Sequence, residues 1–93
     1  MKAVWNGTTL AESDRTIEIE GNYYFPPEAV DQRYLRPGEA RKVRTVRGEV
    51  NYYTIEAGGE TNPNAAWSYA ATRAVARDIE GYVAFWKDVA VEG

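Results

Sequence analysis

A chain of 93 residues with no cysteine and no histidine cannot form disulfides, thiolate zinc sites, a cysteine nucleophile or a Ser-His-Asp triad, and it has no imidazole acid or base. Its 44% hydrophobic and 27% charged residues are the mix of one globular domain, taken as residues 1–93, and 13% aromatics supply buried area that so short a chain otherwise lacks. The net charge of −3 is uneven: residues 33–47 hold six basic side chains against one acidic (+5), and the remainder holds five against thirteen (−8).

The opening MKAVWNGTTL has no apolar core of a signal peptide, and no run approaches the roughly 20 apolar residues that a membrane span needs. With cysteine absent, this fits a cytoplasmic protein with no membrane partner. Asn6-Gly7 between Val4-Trp5 and Thr8-Thr9-Leu10 predicts a hairpin, because Asn-Gly tolerates positive φ at both central positions of a type I′ turn. RTIEIE alternates, with Ile17 and Ile19 on one face and Glu18 and Glu20 on the other. Gly21-Asn22 breaks or bulges that strand, and Tyr23-Tyr24-Phe25 continues it until Pro26 and Pro27 end it. Parity sets Tyr24 opposite Tyr23 and Phe25. PPEAVDQ can start one helical turn, and Pro37-Gly38 makes a turn.

EARKVRTV and EVNYYTIEA flank Arg47-Gly48 and predict a second antiparallel pair. In EVNYYTIEA, Val50, Tyr52 and Thr54 share one face and Asn51, Tyr53 and Ile55 the other. Gly58-Gly59 turns the chain into NAAWSYA, a strand with Trp67 and Tyr69 on one face. Ala71, Val75 and Ile79 recur at helical spacing, so an α-helix is expected over about 72–80, from a Thr72 N-cap to Gly81. YVAFW and VAV return to strand. The expectation is an α+β, mainly β domain of about seven to nine short antiparallel strands with one late helix.

Five stretches, VWNG with AES (4–7, 11–13), GNYYFPPEAV (21–30), RGEVNYYTIE (47–56), NAAWSY (64–69) and IEGYVAFWKDVAVE (79–92), resemble the bacterial family known as domain of unknown function 427 nearly end to end. The resemblance implies a small β-tent-like fold. Some relatives of that fold group use cysteine-ligated zinc, and a chain without cysteine must be held by packing alone. The chain departs from the family pattern at Arg44-Thr45-Val46-Arg47-Gly48, where many members read Cys-Pro-aromatic-Lys-Gly. It departs again at Tyr69-Ala70-Ala71-Thr72, where many read Tyr-Pro-x-Pro. The family's name at times invokes nucleotidyl transfer. That chemistry needs carboxylates converging on Mg²⁺, and this chain has no Asp-x-Asp pair and no Gly-rich phosphate loop, so it is disfavoured.

The basic stretch 33–47 reads as a phosphate-binding face or as an edge strand protected by charge; its charges alternate faces, which favours the edge, and the acidic remainder disfavours nucleic acid as a partner. Aromatics at this density are mostly core. A less buried set can still line a cleft for a small or anionic ligand, with Arg47, Tyr53, Trp67, Tyr69, Tyr24 and Glu20 as candidate binding residues and no metal or cofactor. The alternative is a metal-independent enzyme using Glu18, Glu20, Tyr24 and Arg47. A homodimer through an open strand edge is a further expectation.

Overall fold

The computed structural model describes residues 1–38, 43–45, 48–72 and 78–93, with the side chains of 43–45 and 70–72 left out. Ten strands run through these residues, all pairing antiparallel. β1 (Lys2–Trp5) and β2 (Thr8–Glu12) form the first hairpin, and β10 (Ala90–Glu92) joins β1 to complete a three-stranded sheet. Asn6 and Gly7 take φ of 50° and 72°, the left-handed conformations that the Asn-Gly pair predicts. The Asn6 amide also donates to the Ala57 carbonyl at 3.0 Å, tying this turn to the far end of the main sheet.

β3 (Ile17–Ile19) and β4 (Asn22–Tyr24) make a second hairpin. Here the structure corrects the expectation of one continuing strand. Glu20 and Gly21 both take positive φ, 53° and 84°, so the chain reverses rather than bulges, and Tyr24 pairs with Ile17. Phe25 then exchanges backbone hydrogen bonds with Val83 at 2.8 and 2.9 Å, which docks the hairpin on the main sheet. Pro27–Ala29 forms the expected helical turn, as a 3-10 turn, and Gln32–Tyr34 forms another.

The main sheet contains β5 (Leu35–Pro37), β6 (Val43–Thr45), β7 (Gly48–Ala57), β8 (Glu60–Thr72) and β9 (Val83–Phe85). β5 and β6 pair in succession along one edge of β7, β8 runs along the other, and β9 pairs with β8. Two of these strands are longer than expected: β8 spans 13 residues and β7 spans 10. β8 passes straight through Pro63-Asn64 because the register shifts there. Tyr53 pairs with Ala66 and Ile55 with Asn62, which leaves extra residues on β8. Pro63 and Asn64, with φ 55° at Asn64, occupy this bulge, a place where proline forfeits no ladder bond.

Among the described residues there is no α-helix. The expected helix over 72–80 is replaced at both ends: Thr72 closes β8 opposite Gly48, and Asp78-Ile79 lies in a 3-10 turn leading to Glu80, which bridges to Tyr69. Residues 73–77, its middle, lie outside the described residues. The helical spacing of Ala71, Val75 and Ile79 reflected two elements, since Ala71 pairs in the sheet while Ile79 is fully buried beneath it. No helix among the described residues is long and apolar enough to cross a membrane.

β7 and β8 separate two cores. On one side Leu10, Phe25, Leu35, Ile55, Val83 and Phe85 pack together, with Tyr23 and Tyr53 at the margin. On the other, Tyr24, Val50, Tyr69, Ile79 and Ala84 pack together, with Tyr52 and Trp67 partly buried against them. Strand parity accounts for this division. Tyr24 goes one way and Tyr23 and Phe25 the other; Tyr52 goes one way and Tyr53 the other.

Candidate functional site

The second core opens into a cleft of about 340 Å³ lined, among the described residues, by Asn22, Tyr24, Val50, Tyr52, Trp67, Tyr69 and Trp86. Three strands and one turn supply these side chains. β4 contributes Asn22 and Tyr24. On the main sheet, Val50 lies opposite Tyr69 and Tyr52 opposite Trp67, so two cross-strand pairs on one face form the floor and a wall. Trp86 comes from the turn after β9.

Trp67 meets two rings edge to face. Trp67 stands at 89° to Tyr24 and 78° to Trp86, with centroids 6.2 and 5.7 Å away. Tyr69 lies 6.2 Å from Tyr24, tilted by 36°. Such contacts set the positive edge of one ring against the negative face of the next. Tyr24 and Tyr69 are buried, Trp67 and Tyr52 half-buried, and Trp86 remains 45% exposed at the mouth.

Trp86 is held in place by the β8 bulge. Its indole N–H donates to the Asn64 carbonyl at 2.6 Å, and its backbone N–H donates to Ala65 at 2.9 Å. The chain then reverses through Lys87 and Asp88, at φ 48° and 73°. Asn62 donates to the Lys87 carbonyl at 2.6 Å, and the Lys87 ammonium reaches the Pro63 carbonyl at 3.3 Å while lying 5.1 Å from the Trp86 ring centroid.

Of the residues singled out from the sequence, the structure brings Tyr24, Trp67 and Tyr69 together at this cleft. Tyr53 lies across the sheet, where its hydroxyl meets the buried Ser68 hydroxyl at 3.0 Å. Glu20 is exposed in the β3–β4 turn, two residues before Asn22. Arg47 lies outside the described residues. Sequence reasoning did not single out Asn22, Tyr52 or Trp86. Parity groups Tyr52 with Val50 and Trp86 with Ala84, both in the second core, but alternation alone does not say which face holds the cleft.

The titrating groups of note lie away from the cleft. The Glu18 carboxylate, across the hairpin from Tyr23, raises the Tyr23 pKa by charge repulsion and by hydrogen bonding, with burial adding to it. Asp31 is lowered chiefly by its hydrogen bond from the Arg33 side chain, whose guanidinium grips both carboxylate oxygens, the shortest contact at 2.7 Å. Arg36 lies 3.5 Å from Glu56. Two members of the basic stretch are thus engaged in exposed local pairs. Among the described residues no three Asp or Glu side chains converge where a cation could be held.

The fold and site define a small, mainly β domain of antiparallel sheets around an aromatic cluster. The chain belongs to the family described as a domain of unknown function (DUF427), whose model matches residues 1–93. No curated protein matches it.

Proposed function

We propose that this chain is a non-catalytic binding domain that takes a small ligand into the cleft between Tyr52, Trp67 and Trp86. The observation that carries this reading is Trp86, the one large hydrophobic side chain exposed among the described residues, at 45%. A single exposed hydrophobic side chain is ordinary on a protein surface, but two hydrogen bonds and a bulge hold this indole at the mouth of an aromatic cleft. The cleft is at the small end of the roughly 300–1,000 Å³ typical of ligand pockets, and its described lining is mostly aromatic, with one amide and three tyrosines. Three antiparallel sheets built around one long hairpin also support a β-tent-like reading of the architecture.

A thermal-shift screen of metabolites against the protein and its Trp86→Ala variant tests the proposal. At least one compound is expected to raise the melting temperature of the parent by several degrees and that of the variant much less, since ligand linkage scales with affinity. A screen in which no compound distinguishes the two proteins would sink it.

A further inference from the structure

We propose that the ligand of this cleft is a small organic cation, a quaternary ammonium group held against the faces of Trp67, Trp86 and Tyr52; this rests on the binding reading above. A flat ligand gains most between parallel rings. Here Trp67 is close to perpendicular to Tyr24 and to Trp86, at 89° and 78°. A flat molecule stacked on one of these rings runs into the edge or face of the next. A rounded group seated in the corner touches two ring faces at once. A rounded group that profits from ring faces is a cation with its charge spread over methyl groups, because the negative face of each ring attracts it.

The rest of the described lining agrees. Asn22 is its sole non-aromatic polar residue; the lining carries no ammonium or guanidinium to receive an anion and no carboxylate to bind a strongly hydrated metal ion. A trimethylammonium group needs neither, since it offers no hydrogen-bond donor and is weakly hydrated. Trp86 already lies beside a cation: the Lys87 ammonium, which donates to the Pro63 carbonyl at 3.3 Å, is 5.1 Å from its centroid. A cleft of about 340 Å³ has room for a molecule the size of choline.

The experiment is calorimetric titration with choline and tetramethylammonium, alongside the neutral isostere 3,3-dimethylbutan-1-ol, the anion benzoate and the flat neutral indole. Choline is expected to bind saturably and the isostere about tenfold more weakly, since only the charge differs. Trp86→Leu, which keeps apolar bulk and removes the ring, should weaken choline about tenfold, and Trp86→Phe should recover most of it. If Trp86→Leu fails to fold, Tyr52→Leu gives the same comparison. Equal binding of choline and its isostere, or preference for benzoate or indole, overturns the cation and leaves the binding domain standing. Binding by none of the five probes overturns the cation too, and the metabolite screen then decides the binding reading separately.

Discussion

Tyr23 and Glu18 face each other across a hairpin of two three-residue strands, and their pairing shows how one contact becomes a pH dependence. The carboxylate disfavours the phenolate, so the folded protein holds the Tyr23 proton beyond the pH at which an unfolded chain releases it. The contribution to stability is therefore present below the ordinary tyrosine range and is lost as pH rises through the raised folded value. In an absorbance titration of the tyrosines, Glu18→Gln should make one ring ionise at lower pH than in the parent. An unchanged curve would contradict the pairing. Alternation in RTIEIE was enough to expect Glu18 on an exposed face, and it is exposed. It could not place Glu20, because the positive φ at Glu20 and Gly21 turns the chain there and parity ends with the strand.

Elements carry parity further than they carry boundaries. The alternation of EVNYYTIEA separated Val50 and Tyr52 from Tyr53 and Ile55 correctly, and NAAWSYA kept Trp67 with Tyr69. What the pattern lacked was the sign: nothing in it says which face holds a cleft, and Tyr53 was placed there in preference to Tyr52. The structure gives Tyr53 another task. Ser68 is 4% exposed and pairs with the Tyr53 hydroxyl. Tyr53→Phe is expected to destabilise the fold by about 1–2 kcal/mol in denaturant unfolding, the cost of a buried hydroxyl losing its partner, while choline binding stays as in the parent. A loss of binding with stability intact would put Tyr53 back at the cleft. The late helix was misread for a related reason. Helical spacing across Ala71, Val75 and Ile79 was genuine, yet Ala71 was already committed to β8 by its partner Glu49 on β7, a long-range pairing that no local pattern reports. The bulge at Pro63-Asn64 was equally hidden, since Pro and Asn signal a loop unless a neighbouring strand is there to carry the bulge.

At the scale of the whole molecule, one long hairpin divides the apolar residues into two unequal stores. The first is closed, sealed by Phe25 against Phe85 at 5.7 Å and by Leu10 and Ile55. The second opens into the cleft, where Tyr52 and Trp67 are half-buried and Trp86 is exposed. Among the described residues, the lining of the open store is mostly aromatic rings. The three tryptophans report on the two stores independently, because Trp5 packs against the closed one and Trp67 and Trp86 line the cleft. The most direct measurement is therefore a choline titration followed through the three indole N–H resonances of the ¹⁵N-labelled protein. Trp67 and Trp86 should shift together to saturation with one dissociation constant while Trp5 stays still. Movement of Trp5 with the others stationary, or no movement of any indole, would contradict the account.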